Sequence, residues 1–300
     1  MTAGRPTLER RRTRDPHDTG DTVDSVDTVV EPPFDIRPYL SPFAGALAGG
    51  ANVIMQLSWP AVGYGVKESR VESGSAMKHP FKRTRTTFTY LAVALLGGED
   101  DRDHFRRAVN RQHAQVRSDP ASPVAYNALD PRLQLWVAAC LYHGLTDVIS
   151  QTRRPLDEAT AERLYAYAAR LGTSLQVRPE MWPADRAAFT AYWEESLREV
   201  SIDDPIREYL MRLVRLENLP RFFQVLSARS NQFWTTGFLP PLFRRQMRLP
   251  WSEADEARFV RSLRRLGRIE DLIPPWGKAL PFNLLLWDMR RRVRAGRPLV

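Results

Sequence analysis

From Pro38 onward, apolar residues recur at spacings of three and four, the period of a helix with one face turned inward. In RLQLWVAACLYHGLTDVIS the repeat runs through Leu133, Trp136, Val137, Cys140 and Leu141. Asp130-Pro131 precedes it, a helix-capping carboxylate followed by proline at the first helical position. Asp204-Pro205 repeats the device before IREYLMRLVRLE, and Asp157 precedes EATAERLYAYAARLG, which ends at Gly172, a candidate C-cap. Pro183 and Asp185 open RAAFTAYWEESLREV. Ser252 with Asp255 three residues on resembles a capping box, Asp standing for the usual Glu. Alternating apolar and polar positions of strand length are nearly absent. The pattern predicts an all-α fold of about nine to eleven helices.

Two stretches depart from the pattern. Residues 1–34 carry Arg10-Arg11-Arg12 and then Asp spaced through Thr, Val and Ser, with few aromatics and no helical period. A disordered tail is expected there, and one helical domain over 35–300. Phe43 to Val66 is the most apolar segment, but Gly49-Gly50 and Trp59-Pro60 interrupt it. A spanning helix wants roughly 20 uninterrupted apolar residues. Buried core is therefore expected, with peripheral rather than transmembrane contact as the remaining membrane reading. No stretch at the N-terminus is apolar enough for a signal peptide.

Composition narrows this further. Hydrophobic residues are 43% and aromatics 10% of 300 residues, enough for a substantial core. A net charge of +9 arises from 44 basic against 35 acidic residues. The arginines are scattered over the helical segments rather than gathered in one stretch, so a solvated surface is expected and no nucleic-acid partner. The 1 Cys, Cys140, rules out disulfides and cysteine-based metal clusters and fits a cytoplasmic setting.

Glycine-rich phosphate loops, zinc-protease helices and nucleophile elbows are missing. Of 5 histidines, His17 lies in the tail, His79 precedes a proline, and His104 sits in a charged first turn. His143 falls one position off the apolar stripe of its helix. His113 differs. In DDRDHFRRAVNRQHAQVRS, read as one helix from about Asp101 to Arg117, Phe105, Val109, His113 and Val116 share the inward stripe. An imidazole there is a hydrogen-bonded core histidine or a ligand. Arg83 and Thr87, at i and i+4, share a face of the next candidate helix upstream, while Arg85 points elsewhere. They read either as a solvated basic helix start or as a site.

Five pieces of the chain, in order, resemble the MpaB-type oxygenases and the rubber oxygenases known as latex-clearing proteins. They are MQLSWPAVGYGV, the Arg-x-x-x-Thr-x-x-Tyr element from Arg83 to Tyr90, NRQHAQVR, YNALDPRLQLWVAACL, and TTGFLPPLFRRQMRLPW. Together they span about residues 40 to 255. The resemblance implies a globin-related helical core enclosing haem b, with His113 as proximal iron ligand. It further implies Arg117 within reach of a propionate, and Arg83 and Thr87 as catalytic, pocket-lining residues. The chain departs from the family's pattern at Ala138 and at Trp59, where the family often has His. Thr86 stands where rubber oxygenases have a distal lysine, so their polyisoprene mechanism is not carried over.

The function this implies is a haem-dependent oxygenase using O2 on a small apolar substrate, isoprenoid or alkene. The rival readings are a haem-binding sensor without turnover and a cofactor-less interaction protein of the same fold.

Overall fold

In the computed structural model, one helix after another begins at a side chain that accepts a hydrogen bond from the new helix's free backbone N–H groups. Residues 1, 33–153 and 155–300 are described, so most of the expected tail, and His17 with it, lies outside them. The compact unit begins at Phe34. Its helices are α1 (Pro42–Leu57), α2 (Pro60–Lys67), α3 (Pro80–Leu96), α4 (Glu99–His113), α5 (Pro131–Thr152), α6 (Glu158–Ala168) and α7 (Arg170–Thr173). After these come α8 (Arg186–Ser196), α9 (Asp204–Val214), α10 (Arg221–Phe238), α11 (Pro241–Gln246), α12 (Glu253–Asp271) and α13 (Pro275–Arg294). The all-α expectation holds: no strand occurs among the described residues, only an isolated bridge between Arg117 and Asn127. The helix number exceeds the expected range because α7 and α11, of 4 and 6 residues, are too short to show a period.

Asp130, Asp157 and Asp185 cap α5, α6 and α8, and Ser252 with Asp255 forms the capping box of α12. The cap of α9 is Asp203, one residue before the expected Asp204. Gly172 is not a C-cap; it lies inside α7, and a Cβ there would sit 3.0 Å from Val177 and 3.2 Å from Ala138. Close packing, rather than helix termination, calls for glycine at that position. Likewise Gly49-Gly50 does not break α1. A Cβ on Gly50 would lie 2.3 Å from the Thr235 hydroxyl, so the bare backbone lets α1 approach α10 closely. Trp59-Pro60 does break the apolar segment, between α1 and α2. No described helix is long and apolar enough to cross a membrane.

The free start of α1 is satisfied from far away in sequence. Buried Glu270 of α12 accepts from the Phe43 and Ala44 N–H groups at 2.8 and 3.2 Å. This does for α1 what a local Asp does for α5, and adds a helix-dipole interaction.

Helix α5 organises the interior because three of its faces are apolar. Leu135, Ala138, Ala139, Tyr142 and Ile149 join one core cluster with α3, α4, α6 and α13. Trp136, Cys140 and Val148 join another with α1, α9, α10 and α12. The third face, Leu133, Val137 and Leu141 at successive turns, borders open space. Burying two faces fixes the helix rigidly, so the third becomes a firm wall.

Candidate functional site

That wall belongs to a cavity of about 600 Å³, open to solvent on one side and lined by α2, the segment from Ser69 to Lys78, α3, α4, α5 and α9. Its size falls in the range of ligand sites. Most of the lining is aliphatic or aromatic: Val62 and Val66 from α2, Tyr90 and Leu91 from α3, Phe105 and Val109 from α4, together with the α5 face.

His113 lies on this wall at the end of α4, one turn beyond Val109, as the apolar stripe requires. Its Nδ1 is buried, and the ring makes no hydrogen bond among the described residues. Desolvation, reinforced by the Arg83 charge, lowers its pKa from 6.5 to about 4, so the imidazole is neutral at physiological pH. A buried polar atom without a partner is unusual and calls for an explanation.

Arg83 and Thr87 do share one face of α3, and both line the cavity; Thr86 lines it too. The two threonine hydroxyls donate to the carbonyls of Lys82 and Arg83, each at 3.0 Å. Arg83 makes no ion pair among the described residues. It stays accessible because the space beside it is the cavity, yet desolvation pulls the guanidinium pKa down, with Tyr209 pulling the other way. An unpaired cation on a mostly apolar wall is poised for an anion. Arg85 points elsewhere, toward Asp288 and Arg292 of α13.

Arg117 is placed differently from expectation. Helix α4 ends at His113, so Arg117 is not one turn further along the same face. It lines a neighbouring depression with Glu68, Arg70 and Asp119, separated from the cavity by Val116 and Tyr126, which border both. Its guanidinium donates to the Ala114 carbonyl at 3.1 Å.

The structure adds residues that no local pattern marked. Tyr209 and Arg212 of α9 also reach the cavity, Tyr209 near Arg83, and Lys67 and Lys78 line it as well. Burial raises the Tyr209 phenol, so it keeps its proton at neutral pH. The cavity lining thus carries four cationic side chains and, among the described residues, no Asp or Glu side chain. Tyr90 is tied back by a hydrogen bond to the Leu171 carbonyl. Gln134 is also spent structurally, donating to the Ala128 carbonyl at 2.8 Å and accepting from the Gln176 N–H at 3.0 Å.

The two positions where the resembling family often has His are not on the cavity wall. Ala138 packs in the core. Trp59 begins a ladder of stacked rings: Trp59 on Trp136 at 4.9 Å, Trp136 on Trp193 at 5.2 Å, and Trp193 on His143 at 4.3 Å. That ladder gives His143 a packing role away from the cavity, in keeping with its position off the apolar stripe. His104 bonds to the Asp100 carbonyl on the exposed side of α4. No cluster of three or more metal-ligating side chains occurs among the described residues.

Comparison with known proteins agrees with the resemblance. The uncharacterized protein Rv2237 of Mycobacterium tuberculosis is 52% identical over 254 residues, covering 85% of this chain and 100% of the relative. The uncharacterized protein Mb2261 of Mycobacterium bovis matches over the same length at the same identity. No solved structure matches. The family described as "ER-bound oxygenase mpaB/B'/Rubber oxygenase, catalytic domain" matches residues 37–269, a span that contains every cavity residue named above. The chain therefore belongs to the mpaB and rubber oxygenase catalytic-domain family.

Proposed function

We propose that this chain is a haem b-dependent oxygenase that uses O2 on an apolar substrate of isoprenoid or alkene type, with His113 as the iron ligand in a globin-related core. One observation supports the reading above all: a half-buried, neutral imidazole whose buried Nδ1 has no hydrogen-bond partner among the described residues, on the wall of a largely apolar cavity. The donor set fits the group. A haem ligand must be an unprotonated ring nitrogen in a dry pocket, and the propionates need cations free of competing carboxylates. Arg83 and Lys67, in no ion pair among the described residues, meet the second need; Lys78 and Arg212 also line the cavity but are paired with Glu72 and Glu217 at 3.0 and 3.4 Å. Arg117 lies across the Val116–Tyr126 wall, so in this reading its expected role passes to Arg83.

The haem, when bound, supplies the oxygen chemistry. The chain's residues do the rest. Desolvation keeps His113 unprotonated and available. Val137, Leu141, Val66 and Phe105 exclude water and hold an apolar chain by shape. Arg83 supplies fixed positive charge, and Tyr209 holds a proton at its hydroxyl on the cavity wall. Thr86 offers no amine at the position of the distal lysine of rubber oxygenases, so their polyisoprene mechanism is not carried over.

The test is turnover under isotopically labelled O2. Haem-loaded protein with a reductant and a panel of isoprenoid alkenes is expected to incorporate label into product. Haem bound in full with no labelled product from any alkene would favour a sensor or carrier over an oxygenase.

A further inference from the structure

A second surface, remote from the cavity, carries an arrangement that packing does not explain. Helix α12 buries Phe259, Leu263 and Gly267 on its inner face. Its outer face presents Arg261, Arg264, Arg265 and Arg268, all exposed and none in an ion pair among the described residues. Their spacing of three, one and three puts them on one stripe. Most other arginines on this surface have an acidic neighbour, as Arg258 does in Asp255 and Arg291 in Asp288.

The stripe runs into apolar residues that face solvent. Ile269 and Leu272 end it, and Leu272 is 84% exposed. Across the turn, α13 continues with Trp276 (68% exposed), Leu280, Leu284 and Trp287, at spacings of four, four and three. Helix α13 therefore has two apolar sides. Phe282, Leu286 and Met289 occupy the inner one, and among the described residues the outer row is exposed, with only Arg291 lying over the Trp287 ring, at 5.2 Å. Large apolar side chains scattered singly on a surface need no explanation, but a continuous row does.

We propose that this face docks the protein on an anionic lipid surface, the Trp and Leu row entering the headgroup boundary and the arginine stripe meeting lipid charge. The charge pattern selects this occupant. Tryptophan and leucine beside unpaired arginine are the composition of interfacial helices, and each arginine near an anionic bilayer adds to the attraction. A second copy of the chain is disfavoured, because a two-fold pairing of this face would bring two arginine stripes together. Nucleic acid would use the arginines but leave the tryptophan and leucine row unexplained. None of these residues lines the cavity, so the inference stands apart from the oxygenase reading.

The experiment is vesicle flotation of the full chain with phosphatidylcholine alone and with added phosphatidylglycerol, at low and high salt. Two double variants accompany the parent, Arg264→Glu with Arg268→Glu and Trp276→Ser with Leu280→Ser. All four positions are exposed, so both variants should keep the parent's melting temperature. The parent is expected to float only with phosphatidylglycerol and less at high salt. Each double variant should bind roughly tenfold more weakly or worse. Absence of flotation by the parent, or flotation unchanged in both variants, overturns the proposal. So does a parent dimer that the Trp276 and Leu280 substitutions dissociate, which would assign the face to a second copy. Retention on DNA that survives those same substitutions, with no lipid binding, would assign it to nucleic acid.

Discussion

Lowering the pH should destabilise the haem-free chain through His113, and the magnitude can be worked out. Folding moves this imidazole from a pKa of 6.5 to about 4. As pH falls below 6.5 the unfolded chain takes up a proton that the folded chain refuses, so the unfolded state binds more protons and stability drops. The loss begins near 6.5 and is complete below about 4. At 1.36 kcal/mol per unit the full penalty is about 3 kcal/mol, of which about 2 kcal/mol falls between pH 7.5 and 5. These are upper values, since water entering the cavity screens the ring. His143, also shifted to about 4 by desolvation, contributes separately. Urea unfolding of the parent, His113→Gln and His143→Gln at pH 7.5 and 5 tests this, because other titrating groups cancel in the differences. Each variant should lose about 2 kcal/mol less than the parent over that interval. If His113→Gln loses as much stability as the parent, the ring is not held neutral by burial and the argument for a dry ligand site fails.

Three further outcomes follow from the packing and charge. Trp136→Ala removes a fully buried ring stacked between Trp59 and Trp193 and hydrogen-bonded to the Gln56 carbonyl, and should cost about 4 kcal/mol in thermal unfolding. Asp101→Asn breaks the pair with Arg290, made at 3.0 and 2.7 Å, that ties α4 to α13, and should cost about 1 kcal/mol. The Arg290 hydrogen bonds lower the Asp101 pKa, so its contribution is present at neutral pH and is lost as pH falls through that lowered value. Arg83→Met should keep the fold and weaken haem affinity about tenfold, measured by transfer of haem to an apo-globin acceptor; unchanged affinity would remove Arg83 from the propionate role.

Much of the fold was legible because helix starts are local chemistry. Asp130, Asp157, Asp185 and Ser252 announce their helices within four residues. Local chemistry also explains the slip at α9, where Asp203 and Asp204 compete for one cap. Contacts made across the fold left no such mark. Glu270 caps α1 from the far end of the chain, and Gly50 serves a crossing with α10 rather than a break. The site divides in the same way. His113 followed from a stripe of period 3.6, and Arg83 with Thr87 from i, i+4 spacing. Arg117 was misplaced because no sequence signal stops α4 at His113. Tyr209 and Arg212 went unseen because only the tertiary fold brings α9 to the cavity.

In the proposed function His113 holds a haem. The most direct measurement is the visible absorption spectrum of protein expressed with ample haem precursor, beside His113→Ala. A Soret band is expected in the parent, in about one-to-one proportion with protein, and is expected to be lost in a variant which still folds. An unchanged band in His113→Ala would contradict the ligand assignment. A parent that stays colourless after haem reconstitution would contradict the haem itself.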